Sequence, residues 1–320
     1  MSSQHESKGA IFASFAANIG VGISKFVAYM ITGSSSMLAE GVHSVADSSN
    51  QLLLLVGGKQ AKKKPDQAHP FGYGRAHFLY AFMVAILLFT LGGVFAIYEG
   101  YEKIHDPHMI DTPIVAYIVL GIAMILEGSA LRTAMKEAKT FKPKNQTWWQ
   151  FLRNTKSINH VVLTLEDSSA LIGLSLALIG ITLSLVTGNP LWDGVSTLLI
   201  GVLLVIVASI LFVEVKSLLI GEAVDPATEQ KMRKIILSVE DVDHLVDFKT
   251  LYTGPNEIFI AMKVTVGKED SAPTIARAID EIEARLRHAF PIAKLIYIEP
   301  DLYKTRQEQR KTDKEIQESL

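Results

Sequence analysis

Residues 33–58 read GSSSMLAEGVHSVADSSNQLLLLVGG, an apolar stretch interrupted by Glu40, His43, Asp47 and Asn50 at spacings of three, four and three residues. Those spacings place all four side chains on one face of a helix. An ionisable group at the centre of a bilayer costs at least about 2.5 kcal/mol, so an aligned row inside an apolar run needs partners or a ligand. His43 and Asp47, at i and i+4, can both reach one cation, and nitrogen plus oxygen donors suit Zn²⁺. A hydrogen-bonded helix-packing stripe is the alternative.

The rest of the chain resembles this stretch in hydropathy. Its 320 residues are 49% apolar and 20% charged, with a mean hydropathy of +0.27. Six runs reach the roughly 20 apolar residues that span about 30 Å of hydrocarbon: about 9–31, 36–57, 77–98, 112–132, 157–186 and 190–212. The run at 9–31 is too long for a secretory signal and reads as a first span. Lys and Arg gather in alternate connections. Lys59, Lys62, Lys63, Lys64 and Arg75 follow the second run, and Lys136, Lys139, Lys142, Lys144, Arg153 and Lys156 follow the fourth. The positive-inside rule then puts those connections and both termini in the cytoplasm, a pattern that points to a bacterial inner membrane.

Composition excludes whole classes of chemistry. Without cysteine there are no disulfides, thiolate metal ligands or Cys nucleophiles, and a net charge of -2 gives no footprint for nucleic acid. The chain contains neither His-Glu-x-x-His nor a Ser nucleophile constellation, so a membrane hydrolase is not indicated and the chain reads as a non-enzyme.

The fifth run supplies partners for the second. Asp47 lies ten residues before the end of its run and Asp167 ten residues after the start of its own, so both sit about 15 Å deep in helices running in opposite directions. Glu166 and Asp167 point about 100° apart, so only one of them faces His43. His160, two turns before Asp167, is placed for a cytoplasmic entrance or for a satisfied helix start. Lys25 in the first run lies at the depth of Glu40, and an ion pair between them would neutralise both. Glu127 and Asp193 could line the same cavity, or serve in helix packing and capping.

In the connection after the second run, Asp66 and His69 form a second candidate metal pair, but two ligands do not close a site and a Pro/Gly turn explains the segment equally well. From about residue 221 the pattern is that of a small soluble α+β domain: a helix over 226–238, strands over 242–251 and 258–266 split by Thr253-Gly254-Pro255-Asn256, a helix over 272–290 and a strand over 293–298. The expected organisation is an N-terminal tail (1–8), a six-helix transmembrane domain (9–220), a cytoplasmic α+β domain (221–303) and a charged tail (304–320).

These residues resemble the cation diffusion facilitator family of divalent-metal/proton antiporters. The resemblance rests on Asn18 with Lys25, GSSSMLAEGVHSVADS with His43-x-x-x-Asp47, HPFGYGR from His69 to Arg75, and WDGVSTLLIGVLLV from Trp192. It implies a homodimer of six-helix protomers, a four-ligand Zn²⁺ site between spans two and five, and a metallochaperone-like cytoplasmic domain. The family's fifth span usually places a His or Asp four residues before its last Asp, where this chain has Leu163. Three ligands are thus matched, His43, Asp47 and Asp167, with Glu166, Asn50 or water as the fourth. Leu-Glu-Asp is similar to a divergent zinc-transporter branch with a mitochondrial member. In the cytoplasmic domain His244 remains, but Met262 and Ile298 stand where further His is expected, and Tyr73 replaces a third loop ligand. That domain is expected to act mainly in dimerisation, with weak or absent regulation through a metal of its own.

The function expected is export of a divalent metal, Zn²⁺ first, in exchange for protons, with the ion as substrate and no organic cofactor. Mn²⁺ or Fe²⁺ efflux is the nearest rival, and a membrane protein that binds metal without moving it is another.

Overall fold

The computed structural model describes residues 8–110, 112–142, 147, 158–267 and 270–302. Residues 1–7 of the expected N-terminal tail (1–8), the expected tail at 304–320 and the side chain of His160 lie outside the described residues, and Lys8 already belongs to the first helix. The chain divides into two compact units, Met1–Leu219 and Ile220–Leu320.

The first unit is helical: α1 (Lys8–Thr32), α2 (Ser35–Ala61), α3 (Ala76–Leu87), a π-helical segment (Leu88–Val94), α4 (Phe95–His105), α5 (Pro113–Phe141), α6 (Ile158–Thr187) and α7 (Leu191–Ile220). Among the described residues four continuous stretches are long and apolar enough to cross a membrane: Ala76–His105, Pro113–Lys136, Val162–Thr187 and Leu191–Ile220. They match the third to sixth expected runs. Helices α1 and α2, at 25 and 27 residues, have the length but are not among these four. The polar row of α2 dilutes its apolar character. Its buried face holds Glu40, His43, Asp47 and Asn50, so the polar row is turned into the protein.

Helix α2 packs against α1, α3, the π segment, α4 and α6, while α5 packs on α6 and α1. Close backbone approach sets a second contact, between α7 and the π segment with α4. A Cβ on Gly201 would come 2.6 Å from the Ile97 amide nitrogen, and one on Gly100 would come 2.5 Å from that of Leu198. Small residues at such crossings let backbones touch where lipid supplies no hydrophobic drive to associate.

The second unit is a three-stranded sheet with two helices, α8 (Pro226–Ile236) and α9 (Ala272–Ala289). Strands β1 (His244–Gly254) and β2 (Glu257–Val266) are antiparallel, and β3 (Ala293–Leu302) lies parallel to β2, giving the order β1-β2-β3. Alternation decides the faces. Ile258, Ile260, Met262 and Val264 are buried, and Ala278, Ile282 and Leu286 line one side of α9. Asp225 caps α8 through the amides of Ala227 and Thr228, and Ser271 caps α9 through that of Thr274. His244 opens β1 opposite Thr265, whereas Met262 sits in the sheet between Phe248 and Ile298, an apolar setting.

Gly201→Val is expected to destabilise the helical unit by about 1–3 kcal/mol or more through overpacking. Gly121→Ala, where a Cβ meets nothing within 4 Å, is expected to leave thermal unfolding unchanged or shift it slightly upward. Unfolding followed in detergent by tryptophan fluorescence compares the two.

Candidate functional site

Helix α2 carries the site, and its polar face reads as a ladder. On the first rung Lys25 Nζ donates to Glu40 Oε2 at 2.9 Å and to Ser44 Oγ at 2.9 Å, with Lys25 1% and Glu40 0% exposed. The expected ion pair is therefore present. Glu40 Oε1 has no hydrogen-bond partner and faces α6, where a Cβ on Gly173 would lie 2.6 Å from it.

On the next rung the His43 ring is buried and neither ring nitrogen is hydrogen-bonded. Its Nε2 lies 3.5 Å from Asp47 Oδ2, too long and too poorly aimed for a hydrogen bond. Its Nδ1 looks toward the π segment, 3.8 Å from where a Cβ on Gly92 would stand. Asn50 Nδ2 donates to Glu166 Oε1 of α6 at 3.2 Å. Asp47 Oδ1, Asn50 Oδ1, Glu166 Oε2 and Thr164 Oγ1 are buried without a partner. Buried polar atoms in native proteins are nearly always paired with protein, water or an ion, so this concentration of unpaired oxygen and nitrogen atoms could receive a cation.

The structure thus brings His43, Asp47, Asn50 and Glu166 onto one level between α2 and α6. Asp167 is half-buried and follows Glu166 on α6. The 100° step between neighbouring helical residues separates the two carboxylates, and Glu166 is the one turned to α2. Among the described residues no three His, Cys, Asp or Glu side chains are grouped closely enough to hold one ion. The site is a row of adjoining pairs. Glu127 on α5 lies within electrostatic range of Asp47, Glu166 and Asp167 as well as of Lys25 and Glu40. Thr164 was not singled out from sequence, although it lies two residues before Glu166 in the same helix.

A second polar node, where α2 begins, is fully satisfied. Asp193 of α7 is buried and accepts from Ser34 Oγ at 2.9 Å, from the Ser35 amide at 3.0 Å and from the Ser36 hydroxyl. Lys103 Nζ, 4.0 Å from Asp193 Oδ2, donates to the Gly33 carbonyl at 3.1 Å. The carboxylate thus caps α2 from another helix and sits at the positive end of its dipole. Sequence suggested capping for Asp193 but not whose helix it caps. The serine triplet after Gly33 was the available signal.

The 62–75 connection is a turn built around Asp66. Asp66 accepts from the Tyr73 hydroxyl at 2.7 Å and from the His69 amide at 2.7 Å, while His69 Nδ1 lies 3.5 Å away. The Tyr73 hydroxyl first, and the His69 amide with it, hold the Asp66 carboxyl below its usual range. The same bond raises the Tyr73 phenol. Asp66 and His69 are adjacent, but both Asp66 oxygens already serve the turn.

Residues 11–220 match the family model of the cation efflux transmembrane domain, and residues 224–301 match that of the cation efflux protein cytoplasmic domain. Over 235 residues the chain is 28% identical to the mouse mitochondrial proton-coupled zinc antiporter SLC30A9, covering 73% of this chain and 41% of the antiporter. It is 30% identical over 232 residues to Arabidopsis thaliana metal tolerance protein C4, covering 72% of this chain and 51% of that protein. An uncharacterized transporter of Methanocaldococcus jannaschii is 25% identical over 265 residues, covering 82% and 87%. The chain therefore spans about half or less of the length of the first two relatives.

Tyr73→Phe is expected to move the Asp66 titration up toward the ordinary carboxylate value. In the native chain the turn's stabilisation is complete above that ordinary value and is lost as pH falls through the lowered one. Carboxyl-carbon NMR of both proteins reads the shift.

Proposed function

This chain belongs to the cation efflux family, also known as the cation diffusion facilitators, and on that premise we propose that it exports Zn²⁺ from the cytoplasm in exchange for protons. The observation that carries this reading is the row of buried, unpartnered donor atoms on His43, Asp47, Asn50 and Glu166. A dication ligated there would meet one imidazole nitrogen and carboxylate oxygens, a donor set that suits Zn²⁺. Glu166 serves as the α6 ligand nearest to Asp47, with Asn50 Oδ1 as a further oxygen. Asp167, the family's matched ligand, follows it about 100° around α6 and joins only when that helix rotates. Two transmembrane helices that carry ligands on facing sides can rearrange in this way without leaving the bundle.

Coupling to protons follows from the ligands. A metal binds neutral imidazole and ionised carboxylate, so entry of the ion releases protons and protonation expels it. If the site opens alternately to the two sides, this competition converts a proton gradient into metal efflux. Helices α1 and α2 then complete six spans, since the polar face of α2 is already covered by protein. The basic connections place both termini in the cytoplasm, with a bacterial inner membrane as the setting. A homodimer is the expected assembly. The sheet face away from α8 and α9 carries Phe259, Leu295 and exposed Tyr297, in register across β2 and β3, which a second copy would cover.

The Asn50 oxygen, buried without a partner while the amide nitrogen of the same side chain donates to Glu166, favours a second reading, in which a harder ion such as Mn²⁺ or Fe²⁺ is the substrate. Competition among the three metals separates the readings. In proteoliposomes, Zn²⁺ uptake with opposite proton movement is expected for the native chain. Asp47→Asn and Glu166→Gln should each lower it by at least about 10- to 100-fold, the loss typical of even outer metal partners. Asp167→Ala is expected to lower uptake as well. Binding without flux in the native chain would show a protein that holds metal but does not move it, and unchanged flux in both carboxamide variants would remove the site.

A further inference from the structure

The buried pair formed by Lys25 and Glu40 has no place among the ligands, yet it stands one helical turn from His43. Lys25 Nζ reaches Ser44, the residue after His43, as well as Glu40. Its charge acts on His43, Asp47 and Glu127. Glu40 gives the ammonium only one oxygen. The other, Oε1, is buried, unpartnered and pressed against the α6 backbone at Gly173. Glu40 shares the buried face of α2 with His43, one turn away, so its negative charge adds to the surroundings of a cation at His43 and Asp47.

We infer that the Lys25 ammonium is a tethered counter-ion that withholds Glu40 from a divalent cation at His43 and Asp47, keeping the core from gripping the ion too tightly to release it. The inference rests on the transport site proposed above. A fixed positive charge near the site repels the dication, and the carboxylate it engages is a ligand subtracted from coordination. Both effects lower affinity and speed departure. Transport needs both: a core with one more free carboxylate would bind the ion well and turn over slowly. A pair that served only to bury both charges, without acting on the ion, would leave affinity unchanged when either partner is replaced.

That difference in sign is measurable. Zn²⁺ binding by the purified full chain in detergent is titrated calorimetrically, with thermal unfolding followed in parallel. The signal that Asp47→Asn removes defines the core site and separates it from any binding elsewhere. Lys25→Met frees Glu40 and deletes the repelling charge, and is expected to tighten core binding by about tenfold or more, as one unit charge at this range allows. Glu40→Gln leaves the ammonium unpaired and is expected to weaken it by a similar factor. The double variant Lys25→Met/Glu40→Gln removes both charges and should return binding to near the native value. If Lys25→Met does not fold, the double variant must still bind more tightly than Glu40→Gln. Equal shifts of one sign in the two single variants, no shift in either, or a double variant no tighter than Glu40→Gln would overturn the inference. If Asp47→Asn leaves binding unchanged, the site itself is wrong, an outcome distinct from failure of the counter-ion role.

Discussion

A polar side chain carried into an apolar helical bundle has to find its partner there, because no water is at hand to supply one. Helix α2 is organised by that constraint. At its start the debt is fully settled: the Asp193 carboxylate, the three serines after Gly33 and Lys103 satisfy one another and the first amides of the helix. Further along, only Lys25 with Glu40 is fully matched in charge, and even there one carboxylate oxygen is left over. In the middle, His43, Asp47, Asn50 and Glu166 make two or three contacts among themselves and leave most of their donor atoms unpaired. Satisfied polar groups of this kind fix helices to one another. The unsatisfied ones are the donor atoms on which the transport site proposed above rests.

Much of this was legible in the sequence, and the reasons differ by level. The second unit was readable in its element order because β2 alternates over most of its length and its helices carry Asp225 and Ser271 as caps followed by Pro226 and Pro273. Only the ends moved: β1 runs on to Gly254, and the β1–β2 turn tightens to Pro255 and Asn256. The spans from the third run onward were readable as apolar blocks. The second run was less plainly apolar because Glu40, His43, Asp47 and Asn50 dilute it, and that same row made α2 the candidate functional helix. Lys25 and Glu40 could be paired from depth alone.

What sequence could not supply was azimuth. Depth arithmetic put both Glu166 and Asp167 level with Asp47, but which of two neighbouring carboxylates turns to α2 depends on how α6 is rotated in the bundle. Packing sets that rotation, in part through Gly173 against Glu40 and Gly180 against Ser196. The same holds for Asp193: its capping role could be guessed from position, whereas the helix it caps is a matter of tertiary contact between residues more than 150 positions apart.

The widened turn at Leu88–Val94 deserves a last consideration for where it lies, with Gly92 against His43 and Gly93 against Val205 of α7. A π turn is an α-helix holding one surplus residue. Moving that surplus along the rod is a dislocation, which rotates the stretch it passes by about 100° while the ends stay docked. Such a swivel would carry the smooth glycine surface away from the imidazole and put a bulkier side chain in its place, a way for one helix to reshape the wall of the pocket without unfastening either end.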